Sequence, residues 1–424
     1  MADPEAYSPT ILDYLNEDCW RAVLEYVPIR DIICTERASR RWQRAMLAYL
    51  RDVRIGIGSW MFRFSKEFTF RRIMRWEIPE HSFKKWTHKL GTSVVAIYCV
   101  SQEMLQIISG NCPHVEVLII YDPEEKMLLK NQIKNLDRLR KLSFQKCYSV
   151  SDQCISEFIG SKALEELTIG CNDEVTGQCL INIKSRKLKS LTLSTCRSLQ
   201  YHHLEKACHR FKELTKLELD DLPIQLYEHI PSLLDNLPKL EVLSIIEFEL
   251  DFIDLDKNYY NSICKLSSLK YLCLHVPNIT NEDLDKVTRC CKELRSLDIK
   301  VYSFSDLDAR CLTTICLNAG ARLTTLRFTN CDNLTDDELL RCIYTCPNLT
   351  LLDISACCLL TQNFLGQAAA ARREMRSHNP LRLFVDNTSM NHHYGVYCCF
   401  NYGLQRVDNR SLHVFSQDLV LIHF

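Results

Sequence analysis

Twenty-three cysteines in 424 residues are the side chains of this chain best able to do chemistry. Thiols bind zinc, pair into disulfides or act as nucleophiles, and their spacing helps decide which. No two of them stand three apart, so the Cys-x-x-Cys knuckle of most structural zinc sites is absent. The adjacent pairs Cys290-Cys291 and Cys357-Cys358 point to different faces and chelate poorly. His392, His393, Cys398 and Cys399 form one tight His/Cys cluster, at a spacing that matches no common site. Neither a metal nor a cofactor is therefore expected. The 11 glycines form no Gly-x-Gly-x-x-Gly and no phosphate loop. Neither His-Glu-x-x-His nor Gly-x-Ser-x-Gly occurs. Any of the thiols could serve as a nucleophile, but none has a motif around it. No catalytic residue is assigned, and the chain is read as a non-enzyme.

The cysteines make more sense as parts of a periodic frame. Leu323-x-x-Leu326-x-Phe328-x-x-Cys331 is followed by Leu349-x-x-Leu352-x-Ile354-x-x-Cys357. This is the leucine-rich-repeat signature, one strand, a turn and a helix per unit. Units begin near Val94, Val115, Leu139, Leu164, Leu188, Leu214, Leu240, Leu269, Leu294, Leu323 and Leu349, at intervals of 21 to 29 residues. Leu50-x-x-Val53-x-Ile55 reads as an earlier unit set apart by an insertion, and Leu381 to Val385 as a last strand. Such a unit cannot bury its apolar face alone, so the frame predicts an α/β leucine-rich-repeat solenoid, a horseshoe with a broad protein-binding surface. Cys147, Cys196, Cys331 and Cys357 fall three residues past the last strand leucine, where a small inward side chain can meet backbone groups. Cys112, Cys291 and Cys346 fall at helix ends, three residues before the next strand. Packing as small buried hydrophobes accounts for both sets.

Composition narrows the function classes. A formal charge of −1 gives no global pull toward nucleic acid or anionic membrane. No apolar run approaches the roughly 20 residues that cross a bilayer. Met1 to Thr10 is polar and lacks a signal-peptide core, so a cytoplasmic or nuclear protein with reduced thiols is expected. Residues 1–9 read as disordered.

Residues 15–42 hold three short helices. Asn16 is placed to cap the first, which carries Cys19, Trp20, Val23, Leu24 and Val27 on one stripe and stops at Pro28. Asp31 is a candidate cap for a second helix through Ile32 and Ile33. Ser39 is a candidate cap for a third, with Trp42, Ala45, Met46 and Tyr49. The turn Leu334-Thr335-Asp336-Asp337 and the junction Cys346-Pro347-x-Leu349 resemble the cysteine-containing repeat subclass of the F-box family, over roughly residues 94–390. The segment at 15–42 resembles an F-box, a small all-α domain of three helices. Leu15 stands at the family's first leucine and Val23-Leu24 at its Ile-Phe pair. Val27-Pro28-Ile29-Arg30-Asp31-Ile32 stands at its second block, and Arg40-Arg41-Trp42 closes it. Asn16 replaces a proline, Cys19-Trp20 a leucine pair, and Arg37-Ala38 a bulky apolar pair. The resemblance implies docking on a Skp adaptor, and through it on a cullin, by Leu15, Asn16, Val23, Leu24, Val27, Pro28, Asp31, Ile32 and Trp42. A plain helical cap on the repeats is the other reading of this segment.

The remaining segments are less definite. Residues 51–90 hold ten Lys/Arg and four Asp/Glu among Trp60, Phe62, Phe64, Phe68, Phe70, Trp76, Phe83 and Trp86. Single-stranded nucleic acid could stack there. Period-two alternation over Met61 to Phe70 instead suggests a strand pair within a long first repeat, and a basic docking surface is a third reading. On the strands, the third, fifth and seventh repeat positions face outward. That places Val242, Ile246 and Tyr271 as an exposed apolar cluster rimmed by His275, Lys300 and Arg327, a candidate substrate-binding patch unless a loop or the tail covers it. An acidic, aromatic loop from Glu247 to Asp256 adjoins it. It either selects a basic segment or is a solvated turn. Residues 391–424 lose the repeat and read as a terminal cap or a tail folded back into the groove, with 10–49 the F-box, 50–92 the first repeat with its basic aromatic insertion and 93–390 the array. The implied function is substrate recognition in a Skp–cullin–F-box ubiquitin ligase, with an unknown protein substrate and neither membrane nor nucleic acid as partner. A repeat scaffold that recruits no ligase is the alternative.

Overall fold

The structure, a computed structural model, describes residues 14–58, 72–75, 80–99, 101–121, 136–247, 258–276, 279–301, 307–357, 359–361, 363–375, 381–385 and 419–422. The chain divides into two compact units, residues 1–174 with 182–185, and residues 175–181 with 186–424. The basic-aromatic residues from Trp60 to Phe70, Trp76, the loop beyond Glu247, the His392–Cys399 cluster and residues 1–9 lie outside the described residues. Among the described residues no helix is long and apolar enough to cross a membrane.

The first unit opens with helices α1 (Glu17–Tyr26), α2 (Ile29–Cys34) and α3 (Arg40–Asp52). Asn16 accepts a hydrogen bond from the Cys19 N–H at 2.8 Å, and Ser39 accepts one from Trp42 N–H at 3.0 Å, as the spacing predicts. The second cap differs. Helix α2 starts after Pro28, and Asp31 sits inside its first turn without capping it. Pro28 has a fixed φ and no donor to satisfy, so it supplies the helix entry itself. Strands β1 (Ile55–Gly58) and β2 (Arg72–Arg75), helix α4 (Glu80–Leu90), strand β3 (Val94–Cys99), helix α5 (Gln102–Asn111), strands β4 (Val117–Tyr121) and β5 (Lys141–Gln145), helix α6 (Asp152–Phe158) and strand β6 (Glu166–Gly170) follow. The strands pair in parallel in the order β2-β1-β3-β4-β5-β6, with Leu50 inside α3, Val53 capping it and Ile55 starting β1 beside β3.

The second unit repeats the theme. It runs through α7 (Gln178–Ile181), β7 (Ser190–Ser194), α8 (Tyr201–Cys208), β8 (Lys216–Asp220), α9 (Ile224–Tyr227), α10 (Ile230–Leu234), β9 (Val242–Ile246) and α11 (Asn258–Cys264). It continues through β10 (Tyr271–His275), α12 (Asn281–Cys290), β11 (Ser296–Lys300), α13 (Ala309–Ala319), β12 (Thr325–Thr329) and α14 (Asp336–Thr345). Strand β13 (Leu351–Asp353), helix α15 (Asn363–Glu374), and strands β14 (Leu381–Phe384) and β15 (Leu419–Ile422) complete it. Strands β7 to β14 pair in parallel in sequence order, and β15 lies antiparallel along β14. That pairing caps the last repeat strand, whose backbone groups would otherwise be unpaired. In each repeat the signature leucines are buried, as in Leu323, Leu326 and Phe328. Both units thus have the expected α/β repeat architecture.

The inward cysteines explain the turns. Lys146, Thr195, Asn330 and Ala356 have φ of 53, 49, 63 and 58°, and each immediately precedes a buried cysteine. The left-handed residue swings the chain out of the strand and turns the next side chain under the sheet. There Cys147 Sγ meets Gln145 O at 3.4 Å and Cys357 Sγ meets Phe328 O at 3.5 Å. Cys171, at φ 52°, precedes Asn172 instead, which donates to Cys147 O at 2.5 Å and Val150 O at 2.8 Å. Cys112, Cys291 and Cys346 are buried helix C-caps. Thr195 is the most strained of these turn residues, being β-branched. Thr195→Gly is expected to gain up to about 1 kcal/mol, because relief of about 1–2 kcal/mol of left-handed strain exceeds glycine's cost of about 0.5–1 kcal/mol. A higher denaturant midpoint at unchanged slope would report it.

Candidate functional site

Two surfaces hold the residues singled out above, one in each unit. In the first unit, α1 and α3 pack through Trp20 and Trp42, edge to face at 5.6 Å between ring centroids. An Arg21–Asp52 ion pair and a hydrogen bond from Arg41 Nη2 to Leu15 O at 3.1 Å close the arrangement. The stripe on α1 is only half used. Trp20 and Leu24 are buried, but Cys19 and Val23 are exposed and Val27 is half-buried. Leu24 and Ile32 have no exposed surface at all, so they are core residues and cannot touch a partner directly. Three short helices need every inward apolar side chain to close on themselves, which is why these two turn inward. Asn16, Val23, Pro28 and Asp31 remain exposed, with Leu15, Val27 and Trp42 half-buried. Tyr14, just before α1, Tyr26 (89% exposed) on α1 and Leu47 on α3 were not anticipated as part of this surface and are exposed.

In the second unit the strand face holds a row of polar groups in register. Asp298 pairs with Cys273 on β10 and with Arg327 on β12. Asp298 is 3% exposed, and its carboxylate accepts from His275 Nε2 at 2.9 Å and from Arg327 Nη1 at 3.2 Å. Arg327 Nε lies 3.9 Å from Asp353. Burial alone would raise the Asp298 pKa, but the hydrogen bonds and charges of His275 and Arg327 outweigh it and hold the carboxyl below its usual range. Asp353 is pushed up by burial, which its bonds to Ser355 and the nearby Arg327 only partly offset. Burial also pushes up the Tyr271 hydroxyl and the Cys273 thiol. Further along the row, Glu218 is buried and bound by Lys216 at 3.0 Å and Thr192 at 2.7 Å.

This arrangement changes the apolar patch. Val242 and Tyr271 are direct neighbours in register, both half-buried. Ile246 is 3% exposed and offers no surface, contrary to its expected place in the cluster. It stands between Asp220 and His275 in adjacent strands, which lie only about 4.8 Å apart and shield one another's side chains. His275 and Arg327 are ligands of Asp298 rather than a free rim, while Lys300 stands half-buried opposite Thr329. The central role of Asp298 was missed. Its signal was present in outline: an acid at the fifth repeat position, with an arginine at the same position one repeat later.

Among the described residues, two groups bring possible metal donors together across repeats. Cys316, Cys342 and Cys346 are buried, with Sγ–Sγ distances of 3.9 Å for 342–346 and 3.7 Å for 346–316. The donor atoms of Cys273, His275 and Asp298 also lie within 4.8 Å of one another. Neither group has a recognisable spacing, because each is assembled from different repeats.

No model of a known protein family matches this chain, and no curated protein does. Among solved structures, the yeast Rad7–Elc1 complex is 18% identical, covering 69% of this chain and 78% of that one, at a TM-score of 0.44. The mouse RP105/MD-1 complex is 15% identical, covering 68% of this chain and 46% of that one, at a TM-score of 0.41.

Proposed function

We propose that this chain is the substrate-recognition subunit of a Skp–cullin–F-box ubiquitin ligase. In this reading α1–α3 dock on the Skp adaptor, and the strand face holds a protein substrate for ubiquitination. The supporting observation is the unburied half of the N-terminal helices. Val23, Tyr26 and Leu47 are exposed in a segment of fewer than forty residues, beside Leu15, Val27 and Pro28, at the positions where the F-box resemblance falls. Exposed large apolar side chains gathered in so small a segment mark a contact surface. Asn16 stands where the family has a proline and starts the helix equally well as an N-cap. On the strand face, Val242 and Tyr271 supply the half-buried apolar contact. The chain itself would do no chemistry. It would raise the effective concentration of a substrate lysine near a charged conjugating enzyme.

The test is co-purification of the full chain with the Skp adaptor. The wild type is expected to bring the adaptor down, and a Val23→Asp, Tyr26→Ser, Leu47→Ser variant to lose it. The three positions are exposed, so stability should change by no more than about 0.5 kcal/mol per site. A wild-type chain that holds no adaptor, or a triple variant that keeps it, overturns the proposal. The first result, with substrate still bound, would leave a repeat scaffold that recruits no ligase.

A further inference from the structure

Cys273 and His275 stand two apart on β10 and so project to one face, and Asp298 stands opposite Cys273 on β11. Paired strands hold this triad, and strands fix side-chain positions better than loops do. Thiolate, imidazole and carboxylate are the donor types that bind zinc, at bond lengths of about 2.0–2.3 Å. Such bonds put the donors about 3.3–3.8 Å apart, as edges of a tetrahedron. The triad already lies within 4.8 Å, with His275 Nε2 and Asp298 Oδ1 at 2.9 Å. A cation between them would replace the bridging proton.

Charge decides between the two donor clusters. A divalent ion held by one thiolate, one carboxylate and a neutral imidazole is neutral as a unit. Arg327 adds a positive charge beside Asp298, and Asp353 next to Arg327 balances it. The Cys316–Cys342–Cys346 group would instead surround the ion with three thiolates. It would bury a net negative charge near the C-terminal ends of α13 and α14, where the helix dipole is also negative. Access points the same way. His275 retains 13% of its side-chain surface on the strand face, whereas the three-thiol group lies in the core. Arg327 would act as an outer partner, fixing the free oxygen of Asp298.

We infer that Cys273, His275 and Asp298 form a zinc-class divalent-cation site on the strand face of the second unit, with its fourth position open. Three protein ligands and one open position are the pattern of zinc sites that exchange a ligand. The fourth donor would come from a segment bound to that face. That last step rests on the binding role proposed above, but the metal site does not.

Cobalt(II) is the probe, because a thiolate–cobalt charge-transfer band and tetrahedral d–d bands report ligand type and geometry. The chelator-treated full chain is expected to take up one equivalent with both signals and to release it to zinc. Cys273→Ser and His275→Ala should each weaken binding about 100-fold, at or beyond the 10–100-fold range of outer-shell partners. His275→Cys keeps a ligand and should restore the bands. Cys342→Ser with Cys346→Ser should leave them unchanged. Melting curves confirm that each variant is folded. The inference fails if the wild type shows no thiolate–cobalt band, if folded His275→Ala retains it, if folded His275→Cys does not restore it, or if the Cys342/Cys346 variant loses it. No adaptor or substrate enters the titration, so its failure is distinct from failure of the ligase reading.

Discussion

Asp298→Ala is expected to destabilise the second unit by about 2–3 kcal/mol, because it strands the half-buried guanidinium of Arg327. Among the described residues Arg327 would keep the Asp353 carboxylate, at 3.9 Å, and His275 would lose Asp298 as its hydrogen-bond acceptor. Replacing both members with apolar groups should recover much of the loss. Asp298→Leu with Arg327→Met is therefore expected to be clearly more stable than Asp298→Ala alone. Urea denaturation monitored by circular dichroism measures both. Repeat units contact only their neighbours, so the damage should show as an early, separate transition as well as a shifted midpoint. The pH dependence has a definite sign. The folded pKa of Asp298 lies below its unfolded value of about 3.9. Its contribution is present above that value and is lost as pH falls through the lower, folded pKa. Asp353 has the opposite sign, since its raised pKa favours the folded state most at low pH. Asp298→Ala should therefore remove stability at pH 7 and flatten the acid limb below about pH 4.

The repeat frame was legible because its evidence is periodic. Leu323, Leu326 and Phe328 recur as Leu349, Leu352 and Ile354, and the cysteines three residues on are buried where that frame puts them. The turns were less legible. Lys146, Thr195 and Ala356 adopt a left-handed conformation that residue type normally signals through glycine or asparagine. Here repeat stacking imposes it on residues with no such preference. Burial on the strand face was the weakest reading. Alternation correctly put Ile246 on the same face as Val242, but a face shared with close neighbours on both sides is not an exposed one. The Asp298 site depends on register between residues 23 and 29 positions apart, and pattern within a single repeat does not contain it. Asp31 was misplaced for a local reason, since Pro28 opens the helix before it.

The N-terminal helices give the sharpest separation between folding and binding. Leu24→Ala is expected to cost about 2–5 kcal/mol, as for other large-to-small changes at fully buried positions. A three-helix segment has little margin for such a loss. Leu24 contacts nothing outside, yet its variant should lose the adaptor, through unfolding of the helices. Val23, one residue earlier and 40% exposed, should do the reverse in an aspartate variant: the adaptor is lost while the helices stay folded. Amide hydrogen exchange over residues 17–52 distinguishes the two cases. Protection should collapse in Leu24→Ala and persist in Val23→Asp. Equal loss of protection in both would mean that the exposed stripe on α1 supports the fold, and a helical cap on the repeats would then explain the segment better than a docking surface. Persistence in Val23→Asp together with loss of the adaptor would assign the outer half of the α1 stripe to the partner and the inner half to the core.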